Sequence, residues 1–503
     1  MKKIYVAVLF VSLLFLQGCD KFLDIKPENV KVVSSIEDYR DLLASYMRYL
    51  KTPNRNQKHV LGAYNYPVFD VATYFAFRTG ELSPYKQSGA YYDPALGEYT
   101  QLGVERLTWM ENADYIWDSY YSFLGPINMI ISGLETAVGD DEDMRNYVKG
   151  EALVWRAYAY LKLLEYFSPY KNNEYGIPIW LKIYEDPASA MPQREKQIDV
   201  YHQIITDCEE VLKLLDETPF TNWNCAYQPC FVYSMLAHIY WYKSSSAAAE
   251  DSDWENALKY AEQAMEGRTF VRDPAIMTAM FDATAGKEFT NDEFNVRLID
   301  GDQGWLINVT GEYYQGSQYN VNAESSPDAD FYALFKDDDV RKNTYFKKQL
   351  FAGVRYDKYN VSASMNIFVK LGIISAGGII MPFRSAEMQL IKAEALCRLN
   401  KQDEAKRALN FFKQGRYIDI DGSYTESDLL NEILKERKLE FYHEQDMWWL
   451  DMKRLGKRVE RVVNGTLHVL ESDDYRYCFP IPLSEMEKNK NMIQNPGWDK
   501  VNL

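Results

Sequence analysis

The residue with the most pointed chemistry is Cys19. It follows Leu16-Gln17-Gly18, a run that can enter a signal peptidase in extended form, and its thiol is a nucleophile suited to take a diacylglyceryl lipid. Upstream, Lys2 and Lys3 form a basic head before an apolar run from Ile4 to Leu16. That run is well short of the ~20 residues a spanning helix needs, so it reads as a signal-peptide core. The pattern is that of a bacterial lipobox. Residues 1–18 are expected to be removed, Cys19 to become the first mature residue, and residues 19–35 to form a lipidated tether. Several acyl chains anchor stably where one does not. An ordinary secretory signal with an incidental cysteine is the plain alternative. No later segment is long and apolar enough to span, so the rest is expected to be held by lipid alone.

Aromatic rings are the second resource. They make up 15% of the chain, with 39 Tyr and 11 Trp, more than a helical core usually requires. Ring faces stack on the apolar C–H faces of sugars, although Tyr-rich helix packing accounts for the same abundance. Trp305, Tyr313 and Tyr314 lie in one loop-like stretch and Tyr91 and Tyr92 in another, so each is a candidate for a binding wall, with packing as its alternative. Trp155, Trp254, Trp448 and Trp449 sit within helical patterns and are assigned to the core.

Other constellations fail. His443-Glu444 lacks the second histidine of a zinc-protease helix, and Ala285-Gly286-Lys287 lacks the remaining residues of a phosphate loop. Asp337-Asp338-Asp339 lacks a calcium-loop pattern and reads as a solvated turn. With 73 acidic residues, some pair falls at glycosidase separation by chance, so carboxylates alone do not point to hydrolysis, and no catalytic residue is assigned. Beyond Cys19, Cys208, Cys225, Cys230, Cys397 and Cys478 form neither a disulfide framework nor a zinc pattern and are expected to be mostly buried free thiols. No metal and no cofactor is expected. The 56 basic residues against 73 acidic ones give a net charge of -17, which argues against sequence-independent nucleic-acid binding and suits a neutral ligand.

The elements that must position these residues read as helical. Ser35 is a good N-cap before Ile36-Glu37-Asp38-Tyr39. Helices are expected over roughly Met144–Phe167, with Val148, Ala152, Trp155, Ala159 and Leu163 on one face, and over Ile198–Leu215. Phe231–Tyr242 pairs with Trp254–Met265, and Ala386–Leu399 with Asp403–Phe412. Small residues on facing helices and short polar turns resemble tetratricopeptide-type repeats of irregular period. Periodicity fades over 268–382 and over Tyr64–Trp109, which implies loops and short strands. The expected fold class is all-α, an irregular tetratricopeptide-like helical repeat scaffold with long loop-rich insertions.

Several blocks, in order, resemble the SusD/RagB family of Bacteroidetes outer-membrane lipoproteins. They are Cys19-Asp20-Lys21-Phe22-Leu23-Asp24 with Pro27; Glu151-Ala152-Leu153 with Arg156-Ala157-Tyr158-Ala159-Tyr160-Leu161; and Gly176-Ile177-Pro178. Arg384-Ser385-Ala386-Glu387 through Ala393-Glu394-Ala395 follows, then Glu436-Arg437-Lys438-Leu439-Glu440-Phe441 and Trp449-Leu450-Asp451-Met452-Lys453-Arg454. Phe479-Pro480-Ile481-Pro482 and Gln494-Asn495-Pro496-Gly497-Trp498 complete the series.

The resemblance implies a SusD-like helical region over 36–267 and a RagB/SusD C-terminal region over 268–503, whose 268–382 segment faces the ligand. It also implies a non-catalytic protein on the outside of the outer membrane, binding a glycan and pairing with a SusC-like TonB-dependent transporter. A starch-binding pattern in the family has Asp and Arg eight apart, then Trp with Asn three later. Asp70 and Arg78 match the first spacing and Trp109 and Asn112 the second. Trp109 would stack on a sugar while the other three bond hydroxyls; alternatively, Asp70–Arg78 is a loop salt bridge and Trp109 a core residue. A RagB-like peptide receptor and a surface glycan hydrolase are the competing functions.

Overall fold

The computed structural model describes residues 33–51, 75, 78–79, 92–93, 98–99, 108–110, 112–181, 191–221, 226–267, 270–281, 308–309, 329–356, 359–368, 378–379, 383–422, 424–442, 444, 446–463 and 466–501. Helix α1 (Ile36–Lys51) starts as its cap demands. The Ser35 hydroxyl accepts from the Asp38 backbone N–H at 3.1 Å while the Asp38 carboxylate accepts from the Ser35 N–H at 3.1 Å. This reciprocity satisfies donors that a helix end leaves unpaired.

Two long helices follow. Helix α2 (Asp114–Leu134) has no counterpart among the expected elements; Pro126 inside it and apolar residues on several faces obscure its period. Helix α3 (Glu142–Phe167) begins on Asp141, whose carboxylate accepts from the Met144 N–H at 2.9 Å. Its anticipated apolar stripe is buried, but so is the opposite face, including Glu151, Arg156, Lys162 and Glu165. It is a central helix, not an amphipathic one lying on a surface. Gly150 within it makes room for the Tyr227 ring, which a Cβ there would meet at 2.2 Å.

The array then runs through α4 (Gln197–Glu217), α5 (Pro229–Lys243) and α6 (Asp253–Ala264). A short α7 (Pro274–Phe281) precedes α8 (Ser385–Arg398), α9 (Gln402–Lys413), α10 (Glu426–Glu440) and α11 (Met447–Leu455). Helix α3 pairs with α4, α5 with α6, and α8 with α9; α6 packs on α8, and α8 on α10. Thus helices separated by more than a hundred residues of intervening chain are neighbours in one repeat stack. Ala257, Ala261 and Ala264 on α6, with Ala386, Ala393 and Ala395 on α8, are fully buried, as close helix contact requires. Asn400 ends the α8 unit with φ +59, a conformation asparagine tolerates.

The insertion over 268–382 holds more strand than expected. Strands β1 (Phe346–Tyr356) and β2 (Tyr359–Phe368) form an antiparallel hairpin 11 and 10 residues long, with an irregularity between Phe351 and Val354. A second hairpin joins β3 (Val459–Val463) to β4 (Thr466–Leu470). The chain then returns to the C-terminal end of α3. The Phe479 N–H donates to the Tyr166 carbonyl at 2.8 Å, and the Asn495 amide donates to the carbonyls of Phe167 and Phe479, both at 2.8 Å. Gly497, at φ +96, turns the chain so that Trp498 donates from Nε1 to the Cys478 carbonyl at 2.9 Å.

Among the described residues Cys208, Cys397 and Cys478 are buried free thiols and Cys230 is partly buried, while Cys225 lies outside the described residues. Trp155 and Trp449 are core residues, but Trp254 and Trp448 are only partly buried, beneath Arg398 and Lys438 respectively. Among the described residues no helix is long and apolar enough to cross a membrane.

Candidate functional site

The edge leading into α2 is built from the inside outward. The Arg78 guanidinium is fully buried between the rings of Trp449 and Phe479, 4.6 and 4.8 Å from their centroids, and donates from Nη2 to the Arg476 carbonyl at 3.1 Å. Trp109 is fully buried beside it, donating from Nε1 to the Arg78 carbonyl at 2.8 Å. Arg476 lies 5.7 Å from the Trp109 ring centroid and donates to the Thr108 carbonyl at 3.4 Å. So held, Trp109 adopts φ +62, a backbone region that bulky residues occupy only when their surroundings impose it.

This corrects two of the sequence assignments. Arg78 and Trp109 offer neither a guanidinium edge nor a ring face to a ligand, because packing and internal hydrogen bonds already occupy both. They form the base of the edge instead. The strained turn at Trp109 then brings Asn112 to the surface, where it is exposed, before Ala113 returns to the core and α2 begins.

Two carboxylates that sequence reasoning missed stand beside Asn112. Asp114 is half-buried and its pKa is raised by burial, with a hydrogen bond from the Asn112 side chain opposing and the Asp118 charge reinforcing the shift. Asp118, one turn on, is raised by burial as well, with Lys488 opposing. The spacing of four in Asp114 and Asp118 was the available signal, but 73 acidic residues hid it. Asn112, Asp114 and Asp118 make a polar edge able to bond hydroxyl groups. Asp70, Trp305, Tyr313, Tyr314, Tyr91 and Cys19 lie outside the described residues; Tyr92 pairs through its backbone with Tyr99 in a two-residue ribbon.

A buried ionic seam carries this edge. Trp449, which covers Arg78, belongs to α11, and α11 is tied to α8 and α10. Arg454 grips Glu394 through both nitrogens at 2.9 and 2.7 Å, and Asp451 bonds Arg454 and Arg437 at 2.9 and 3.1 Å. The Arg437 and Arg454 guanidinium groups both lie over the Trp241 ring, 4.1 and 4.3 Å from its centroid. Burial raises the Glu394 pKa, but Arg454 overrides it and holds the group down at about 2. Nearby, Arg341, Arg384 and Arg416 converge on Glu440 at 3.2, 3.0 and 2.9 Å. Asp339, expected in a solvated turn, is buried in this cluster on Arg341, while Asp337 is exposed on Lys342. Glu444, next to the rejected zinc-like histidine, pairs with Arg384 at 2.9 Å. Among the described residues no group of His, Cys, Asp and Glu could hold a metal ion.

Together these features define a helical-repeat protein whose charged residues are spent on structure, with a small polar edge at its surface. Family models agree with that class. Residues 21–241 match the SusD-like model described as starch-binding, associating with the outer membrane, and residues 373–498 match the SusD family model. A SusD-like protein, P2, of Formosa agariphila is 26% identical over 427 residues, covering 76% of this chain and 80% of its own. A SusD-like protein of Bacteroides ovatus is 23% identical over 498 residues, 89% of this chain and 82% of its own. A solved SusD superfamily structure from Bacteroides thetaiotaomicron superposes with TM-score 0.69 at 20% identity, covering 92% of this chain and all of that one. A SusD-like carbohydrate binding protein from Bacteroides vulgatus gives TM-score 0.62 at 20% identity, with 91% and 97% coverage. Taken together the two models cover most of the chain, which belongs to the SusD family; the starch-binding, outer-membrane-associating description is that of the model matched by residues 21–241.

Proposed function

We propose that this protein is a non-catalytic capture lipoprotein. With residues 1–18 removed and Cys19 lipidated, it is held on the outer face of the outer membrane, binds an oligosaccharide or polysaccharide, and passes it to a SusC-like TonB-dependent transporter. The observation that carries this reading is the match of residues 21–241 to a starch-binding, outer-membrane-associating model. Ring stacking by Trp305, Tyr313 and Tyr314 would give affinity, and Asp70 with the exposed Asn112 and Asp118 and the half-buried Asp114 would bond hydroxyls. The buried carboxylates Glu394, Glu436 and Glu440 are engaged in ion pairs with arginines, which is a structural use of their charge.

The test is calorimetry of the mature chain against a panel of polysaccharides and peptides, with reducing-end release followed in parallel. Binding to one glycan without turnover, weakened by Trp305→Ala and by Asn112→Ala with the fold intact, is the expected result. Peptide binding with no glycan response would replace this reading by a RagB-like one, and steady release of reducing ends would replace it by a hydrolase.

A further inference from the structure

The strained turn at Trp109 is held from the far end of the chain, by Arg476, 368 positions beyond Thr108. We propose that Arg476, aimed by Asp474, is a positioning residue of the polar edge: it fixes the turn before α2 and so sets where Asn112 stands. The inference rests on the reading of that edge as a glycan-binding one.

Arg476 is aimed by a fork. Its Nε and Nη2 donate to the two carboxylate oxygens of Asp474 at 3.0 and 2.8 Å, a two-point grip that fixes the plane of the guanidinium. The same carboxylate accepts from the backbone N–H groups of Glu471 and Arg476 at 3.2 and 3.0 Å, so it cannot swing away without opening its own turn. Nη2 also donates to the Val469 carbonyl in β4, and Nη1 is the nitrogen that reaches Thr108. The segment that carries the fork is itself tightly seated. Asp473 adopts φ +55, and a Cβ on Gly456 would stand 2.6 Å from its carboxylate. Tyr475, in the single 3₁₀ turn Tyr475–Tyr477, packs edge-on against Trp498 with ring centroids 5.2 Å apart.

From that seat Arg476 closes a circuit. Trp109 donates to the Arg78 carbonyl, Arg78 donates to the Arg476 carbonyl, and Arg476 returns to the carbonyl of Thr108, the residue before Trp109. The strained residue is thus gripped by its ring and by the peptide that precedes it. A bulky side chain keeps a positive φ only while its surroundings impose it. Three residues on, Asn112 is exposed and bonds Asp114 at the start of α2, so the turn decides how its amide stands against Asp114 and Asp118. At 3.4 Å the Thr108 contact is near the limit of a hydrogen bond. A lysine, shorter and unforked, would lose both that contact and the grip on Asp474.

The test compares Arg476→Lys, Asp474→Asn, Asn112→Ala and the double variant Arg476→Lys with Asn112→Ala, all in the chain from residue 19 onward carrying Cys19→Ser. Amide hydrogen exchange is read without ligand, and affinity by calorimetry with maltohexaose, cellohexaose and laminarihexaose. Arg476→Lys should speed exchange over 108–116 and leave α3 and α8 unchanged, whereas a general loss of stability would speed all three. For a sugar that binds, Arg476→Lys should weaken affinity about three- to tenfold, the scale of one misplaced hydrogen bond. The double variant should bind no more weakly than Asn112→Ala alone, because Arg476 acts through Asn112. Asp474→Asn should move exchange and affinity in the same direction, so the proposal does not hang on one variant folding. Unchanged exchange over 108–116 in both variants, or affinity losses that add in the double variant, would overturn it. Failure of all three sugars to bind the unsubstituted chain would count against the glycan reading of the edge and not against the clamp, which the exchange over 108–116 decides.

Discussion

Replacing His238 by glutamine removes the charged pin at the centre of the stack, and the consequence depends on pH. His238, on α5, bonds Glu165 of α3 through Nε2 at 2.7 Å and Glu387 of α8 through Nδ1 at 2.6 Å. Lys162 joins the cluster, bonding Glu165 at 2.8 Å and Asp446 at 2.9 Å, and the Tyr166 hydroxyl donates to Asp446 at 2.5 Å. Burial disfavours the imidazolium, but Glu387 and Glu165 outweigh it and raise the pKa from 6.5 to about 9. With the folded pKa above the unfolded one, this stabilisation is complete below pH 6.5 and is lost as pH rises through 9. A rise from 6.5 to about 9, at about 1.4 kcal/mol per unit, makes the full effect about 3 kcal/mol. Urea unfolding of wild type and His238→Gln at pH 6 and pH 9.5 should therefore show a stability difference that shrinks by about 3 kcal/mol at the higher pH. With five histidines in the chain, ¹³C-labelled imidazole NMR should resolve one that titrates near pH 9. Parallel stability curves, or a His238 signal titrating at 6.5, would refute the reasoning.

Glu394→Gln should cost about 3 kcal/mol at pH 7, because the Glu394 pKa falls from 4.5 to about 2 on folding. A depressed carboxylate stabilises above pH 4.5, so in acid-melting experiments the gap between wild type and variant should close as pH falls from 4.5 towards 2. Trp109→Ala should cost roughly 3–5 kcal/mol in denaturant titrations. Asn112→Ala should leave stability within about 0.5 kcal/mol and be read only in ligand binding. Gly497→Ala forces a side chain into φ +96 and sets its Cβ 2.4 Å from the Tyr475 ring. That variant should lose about 1–3 kcal/mol, measured as a lower melting temperature.

Several parts of the fold were legible because they depend on short-range rules. The Ser35 cap, the stop at Asn400 and the helix pairs from Ile198 to Phe412 follow from capping chemistry and periodicity, and the observed ends differ from the expected ones by a residue or two. Helix α2 was hidden because it is apolar on several faces and carries Pro126. The long β1–β2 hairpin was hidden because its pairing, not its local pattern, makes it strand. The family blocks around Glu436–Phe441 and Trp449–Arg454 were recognisable as text, but their reason was not. Their charges are buried and joined to Glu394 and Arg384, residues some fifty or sixty positions away.

By itself the sequence determined the helical class, the repeat pairs, the acidic charge and the expectation of a lipidated start, because composition, spacing and capping act within a few residues. Only the tertiary structure decided which polar residues serve the surface and which the interior. Arg78 and Trp109 have the right types and spacing for sugar contact, yet Trp449, Phe479 and Arg476, distant in sequence, close over them, while Asn112 three residues on remains exposed. Burial is a property of the assembled neighbours, and no local pattern carries it.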